Sequence, residues 1–235
     1  MRGESRRGVA IVTAMGVESA GLSRALAVGP WNQRLRRGWH EGLLEGYPVL
    51  LATCGVGQRA ARRWAQVLFE EYEPRLVILT GVSGGVDPLV GVGDLVLGES
   101  IYQLEGQHVL ARYPVDPDLL ALGREVGAWV QLRTVGRRQP RIVEGGIATV
   151  DYVGRNRLWA ARIAGEHGIV AVEMEGAAIA GACHEAGVPF MAVRAISDVI
   201  GSPWQWLTMI RYLVPAQRNA ERLVFGLVRR LRDEG

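Results

Sequence analysis

VAVEMEGAAIAGACHEAGVPFMAVRAISDV, residues 170–199, reads as strand, helix, strand. The runs Ile169–Met174 and Phe190–Ile196 are apolar on both faces. Between them Gly176–Ala186 has the small residues of a closely packed helix, stopped by Gly187 and Pro189. A strand that is apolar on both faces is covered on both, so the stretch predicts an α/β domain with helices flanking a central sheet. Its charged residues stand out against that background. Glu173, Glu175, Arg194 and Asp198 lie within or end the two runs, and buried charge is costly unless paired or used.

The same alternation extends outward. Strands are expected at Val9–Ala14, Pro48–Cys54, Leu76–Gly81, Asp94–Ile101 and Gly145–Val150. Helical spacing marks Gln58–Tyr72, where Ala61, Trp64, Ala65, Leu68 and Phe69 form one stripe and Pro74 closes the segment. Asp116–Val130 opens on Asp-Pro-Asp, Asn156–His167 ends at Gly168, and a last helix from about Trp204 to Arg232 is expected to bend or restart at Pro215. No linker separates two domains. The expectation is a basic, flexible N-terminus at residues 1–8 followed by one domain over residues 9–235.

Composition excludes several chemistries. The 235 residues include 27 Lys+Arg positions, all of them Arg. A phosphate-gripping P-loop, a Schiff-base enzyme and a protein kinase each need a lysine. Arginine is a poor proton-transfer group near neutral pH, so acid–base work falls to carboxylates, His, Tyr or Cys. The net charge of +3 comes from interspersed signs, which fits a mixed solvated surface and no nucleic-acid partner. Cys54 and Cys183 have apolar neighbours and no metal-ligand spacing, so two buried thiols in a reducing cytoplasm are expected, with no metal and no cofactor. No apolar run is long enough to span a membrane.

Gly81–Asp94, GVSGGVDPLVGVGD, holds five glycines after a strand. It reads either as a set of tight turns or as a loop whose backbone approaches a ligand at the carboxyl ends of parallel strands. Three carboxylates fall just past strand ends, where such sites lie: Glu18, Glu175 and Asp198. Each also suits a helix start. Carboxylates with a nearby Arg and no metal cluster suit cleavage of a glycosidic bond, in which one group protonates the leaving group and another activates water.

VAIVTAMGVES (9–19), the stretch from Cys54 to Val96, and residues 170–199 together resemble the 5′-methylthioadenosine/S-adenosylhomocysteine nucleosidases of the nucleoside phosphorylase superfamily, over roughly 80 residues in order. The resemblance implies a three-layer α/β/α sandwich around a mixed, partly barrel-like sheet, in a homodimer. It implies that Glu18 activates the attacking water and Asp198 protonates N7 of the departing purine, with Ser197 holding Asp198. Glu175 would grip the ribose hydroxyls and Met174 would pack under the sugar. Arg194 would lie near the ribose, with Glu173 beside these substrate contacts. For these roles Asp198 needs a raised pKa and Glu18 must stay ionised, which sets Arg194 nearer Glu18 or Glu175 than Asp198.

Other positions depart from the family. Val82 stands where many members have Ser, and Ser83 follows it. The base-stacking aromatic is either Tyr152 or, in strict register, Val153. The stretch after Asp94 is short and lacks the family's Tyr-His-Asp segment. Trp204 and Trp206 read as core or dimer residues of a helix, or as an apolar wall for the 5′ group. Related phosphorylases hold phosphate with Arg near the glycine loop, where Leu79 and Thr80 stand here, and no Arg lies between Gly8 and Arg24. Water is therefore the expected nucleophile. The expected activity is hydrolysis of 5′-modified adenosines such as methylthioadenosine, adenosylhomocysteine and 5′-deoxyadenosine. The alternatives are a futalosine hydrolase, an adenosyl-hopane nucleosidase or a phosphorylase on the same fold, and a purine-nucleoside-binding module without turnover.

Overall fold

The computed structural model describes residues 7–28, 39–154 and 156–234. The first six residues of the expected basic N-terminus lie outside them. The elements in chain order are β1 (Arg7–Thr13), α1 (Gly16–Ala25), β2 (Ala27–Val28), β3 (Trp39–Leu44), β4 (Tyr47–Thr53), α2 (Gln58–Glu71), β5 (Pro74–Gly85), β6 (Leu95–Glu105), β7 (His108–Pro114), α3 (Pro117–Trp129), β8 (Ile142–Thr149), α4 (Arg157–His167), β9 (Ile169–Glu173), α5 (Gly176–Ala186), β10 (Phe190–Val199) and α6 (Gln205–Glu234). No helix among the described residues is long and apolar enough to cross a membrane.

The strands form one mixed sheet in the order β10-β6-β8-β9-β5-β1-β4-β3-β2, and β10 also pairs with β5. That extra pairing closes β5, β10, β6, β8 and β9 into a ring. The remaining strands extend from β5 as an open sheet, so the expected partly barrel-like α/β architecture is present. β1, β4, β5 and β10 run parallel. Their carboxyl ends share one rim. Helices α1 and α3 pack on α6, and α2 packs on α5. The apolar strands explain the layering: Val9–Val12 of β1, Leu76–Leu79 of β5 and Met191–Val193 of β10 are all buried, as strands covered on both faces must be.

Several elements depart from expectation. β2, β3 and β7 are additional, and all lie at sheet margins, where β7 has mostly exposed side chains and no continuous apolar signal. β6 runs past Ile101 and returns as a hairpin through Gly106. The expected restart at Pro215 does not occur, for α6 continues from Gln205 to Glu234. Proline removes one N–H and crowds the preceding turn, but the buried stripe Ala216, Ala220, Leu223, Val224, Leu227 and Leu231 holds the following turns to the core. Trp204 is 67% and Trp206 55% exposed, which removes the core reading of these two side chains.

The glycine-rich segment is partly strand. β5 continues to Gly85, pairing with β10 along Gly81–Gly85 and with β9 at Gly84 and Gly85. Its glycines are there because charged and aliphatic side chains come close. A Cβ on Gly81 would sit 2.5 Å from Nη1 of Arg194 and 2.6 Å from Oε1 of Glu18, and one on Gly84 would sit 2.5 Å from Cδ1 of Ile200. Gly81→Ala should therefore destabilise the protein by about 1–3 kcal/mol, the usual cost of overpacking a tight interior. A thermal melt checks this; an unchanged midpoint would mean that Arg194 and Glu18 yield freely.

Candidate active site

Glu18 is in the first turn of α1, immediately past β1, and is 1% exposed. Its Oε2 accepts from the backbone N–H of Ala14 (3.0 Å) and Met15 (2.8 Å), and its Oε1 accepts from that of Val82 (2.8 Å). The side chain thus caps its own helix and ties β1 to β5. All three contacts are backbone donors to the carboxylate.

Arg194, on β10 and fully buried, lies opposite Gly81 of β5. Its Nη2 donates to Oε2 of Glu173 and lies 3.7 Å from Oε2 of Glu175. Among the described residues it is the one buried arginine, and its Nε and Nη1 have no hydrogen-bond partner. As expected, it sits with the glutamates and not with Asp198, but its closest partner is Glu173. Glu173 ends β9 and accepts from Thr149 Oγ1 and from the backbone N–H of Glu175 (3.0 Å) and Gly176 (2.8 Å). It therefore caps α5 as well as binding Arg194. Both oxygens of Glu173 are engaged, Oε1 by Thr149 Oγ1 and Oε2 by Arg194 and the Glu175 amide.

Glu175 is the residue that leads into α5. Its Oε1 accepts from the Gly57 N–H at 2.7 Å. Burial and the negative charge of Glu173 push its pKa up to about 7, against the opposing pull of Arg194 and the Gly57 amide. Cys54 is buried beside the same charges, and burial raises its thiol pKa, with Glu175 adding to the effect. Both cysteines are free and buried, as expected.

Asp198 lies farther along β10. Pairing with β5 goes from Ile196↔Ser83 to Asp198↔Gly84, so Ser197 is the extra residue of a β-bulge that re-aims the end of the strand. Ser197 Oγ donates to Asp198 Oδ1 at 2.7 Å and lies 3.3 Å from the Ser83 carbonyl oxygen. Burial raises the Asp198 pKa, while hydrogen bonds from Ser197 and Gln205 oppose the rise. The upward direction expected for Asp198 is the one its burial gives. Three residues, the last of them the bulged Ser197, separate Arg194 from Asp198 along β10.

The segment after β8 lies between these two centres. Asp151 accepts from Gln58 at 2.8 Å, next to the Gly57 contact with Glu175, and the Gly154 carbonyl lies 3.4 Å from Gln205 Nε2, beside Asp198. Tyr152 is 78% exposed and Val153 half-buried, so Val153 is the inward member of the pair. Met174 and Val82 are half-buried at the rim, and Ser83 is buried with no partner for its Oγ among the described residues. A surface cavity of about 620 Å3 lined by Arg124, Gly127, Val130 and Ile142 contains none of these groups.

Gln205, Thr149 and the Gly57 amide were not legible as site groups. Gln205 stands in a Trp-rich stretch without a motif, and the other two act only through the sheet register. The family model described as phosphorylase superfamily matches residues 8–228. A 5′-methylthioadenosine/S-adenosylhomocysteine nucleosidase of Chromohalobacter salexigens is 30% identical, covering 96% of this chain and 98% of that one. The chain belongs to this nucleosidase family of the phosphorylase superfamily. A second nucleosidase, from Bacillus cytotoxicus, is 32% identical over 68% of this chain and 72% of its own length. The Colwellia psychrerythraea nucleosidase, solved in complex with adenine, superposes with a TM-score of 0.82 at 27% identity, covering 95% of each chain. A futalosine hydrolase of Helicobacter pylori shares the fold, at 20% identity and a TM-score of 0.80 over 94% of this chain and 97% of its own.

The buried Glu175 also gives the fold a pH signature. Folding raises the pKa of Glu175 from 4.5 to about 7, so the native state binds the extra proton between those values and stability falls as pH rises through that window. Glu175→Gln should flatten the slope of melting temperature between about pH 4.5 and 7. An unchanged slope would place the titrating group elsewhere.

Proposed function

We propose that this chain hydrolyses the N-glycosidic bond of 5′-modified adenosines, with methylthioadenosine and adenosylhomocysteine as substrates, releasing adenine and the ribose derivative. One observation carries this reading. Two buried carboxylates have opposite surroundings, Glu18 held by three backbone N–H donors and Asp198 kept protonated more readily by burial. A base and an acid are what glycosidic cleavage needs.

In this reading the C1′–N9 bond breaks as Asp198 gives its proton to N7 of the purine, and the electron pair leaves with the base. Ser197 holds the Asp198 oxygen in place. Water adds to C1′ and passes its proton to Glu18. Glu175 accepts from the ribose hydroxyls, Met174 packs under the sugar, and Val82, Ser83 and Val153 line the rest of the pocket. Tyr152 is too exposed to stack unless the segment moves, so Val153 takes the base contact.

Water is favoured over phosphate by charge. Arg194 already faces Glu173 and Glu175, and Glu18 also acts on it. A phosphate dianion there would meet three carboxylates and one arginine already engaged by one of them. Residues 9–235 act as one domain. The exposed Trp204, Trp206, Leu207 and Ile210 support a homodimer in which a second copy covers them, and two free buried thiols support a reducing, cytoplasmic setting.

The test is to offer purified protein methylthioadenosine, adenosylhomocysteine, 5′-deoxyadenosine, futalosine and inosine, with and without phosphate. Free adenine should appear from the adenosines at a phosphate-independent rate, without ribose 1-phosphate. Phosphate-dependent turnover, or release of base only from futalosine or inosine, would overturn the reading. Asp198→Asn should lower kcat by roughly 10²–10⁴-fold, the usual contribution of general acid catalysis. A variant retaining full kcat would remove Asp198 from that role.

A further inference from the structure

Helix α6 reaches both of the proposed catalytic groups. Its first residue, Gln205, hydrogen-bonds Asp198. Three turns later Gln217 and Glu221, four residues apart and so on one face of the helix, turn toward α1. Gln217 Nε2 donates to the backbone carbonyl of Glu18 at 2.7 Å, and Glu221 Oε1 accepts from the backbone N–H of Gly21 at 2.8 Å. Both side chains are buried.

This is an unusual way to pack two helices. The Gly21 amide lies beyond the first four N–H groups of α1, where an amide ordinarily belongs to the helix's own ladder, yet a carboxylate from another helix reaches it. The carboxylate fits because residue 21 has no side chain. A Cβ there would lie 2.1 Å from Glu221 Oε2. Burial raises the Glu221 pKa, opposed by the Gly21 and Leu22 amides and by Arg24 and Arg218. An aliphatic pair would join the helices without burying a charge, but it would leave α1 free to slide or turn. Hydrogen bonds to two fixed backbone atoms set both its height and its rotation. Glu18 depends on that setting, because its two oxygens must meet Ala14, Met15 and Val82 at once.

We propose that Gln217 and Glu221 are positioning residues that fix the Glu18 carboxylate by locking the register of α1 against α6. The proposal rests on the reading of Glu18 as the group that activates water.

The test compares Gln217→Met, Glu221→Ala, Gly21→Ala and Glu221→Gln in the full chain, with circular dichroism to confirm folding and methylthioadenosine as substrate. The first three should lower kcat by roughly 10- to 100-fold, the scale set by misplacing a reacting group by about 1 Å, with KM nearly unchanged. Glu221→Gln keeps an acceptor oxygen and should recover most of the loss. A merely structural role would lower the melting temperature and leave kcat where it was. Wild-type kcat in the folded variants, or a rise in KM with kcat intact, would overturn the proposal. If Glu221→Ala does not fold, Gln217→Met and Gly21→Ala decide it by the same criteria. Glu18→Gln, measured alongside, separates the two levels. If it is inactive while the positioning variants are fully active, only the positioning claim falls. If it is fully active, the reading of Glu18 falls and this proposal with it.

Discussion

The contact between Arg194 and Glu173 is the constraint on which the rest of the site depends. Three carboxylates, Glu18, Glu173 and Glu175, are buried around one rim of the sheet. That much negative charge is not sustainable in an apolar interior without a cation. Arg194 supplies it from β10, across β5 from β9, through Glu173 directly and Glu175 at longer range. Glu173 in turn takes the N-terminal amides of α5, which puts Glu175 at the head of that helix. One ion pair thereby sets a strand end, a helix start and the local charge balance. Gly81 of β5 follows from it, since a Cβ there would fall against both Arg194 Nη1 and Glu18 Oε1.

Two electrostatic environments lie apart along one strand. Near the start of the segment, Arg194 and backbone amides offset negative charge. At its end burial makes Asp198 hold its proton more tightly, opposed by hydrogen bonds from Ser197 and Gln205. The bulge at Ser197 turns the chain between the two. Geometry and charge are therefore not independent features, because the same strand that anchors Arg194 carries Asp198 on to surroundings dominated by burial.

The sequence was readable where physics acts locally. Strands covered on both faces are apolar throughout, so β1, β4, β5, β9 and β10 could be placed within a residue or a few, and helix ends at Asp116, Asn156, Gly168 and Gly187 carried their own signals. Charged residues in apolar runs pointed to Glu173, Glu175, Arg194 and Asp198. The partner of Arg194 was not readable, because β9 and β10 are neighbours of β5 only in the folded sheet and spacing along the chain does not encode that register. The marginal strands β3 and β7 were missed because half-solvated strands have little apolar pattern. Gln205, Gln217 and Glu221 lie on the buried face of a helix otherwise read by its apolar stripe. A polar residue in that stripe was the signal, and it shows only once the buried face is known.

The most direct measurement is the stability of Arg194→Met alone and combined with Glu173→Gln. If Arg194 is the counter-charge for the buried carboxylates, Arg194→Met should cost about 3–5 kcal/mol, as breaking a buried pair does. Neutralising Glu173 as well should restore a substantial part of it in denaturant unfolding. An Arg194→Met protein as stable as the parent, or a double variant no better than the single one, would contradict the account.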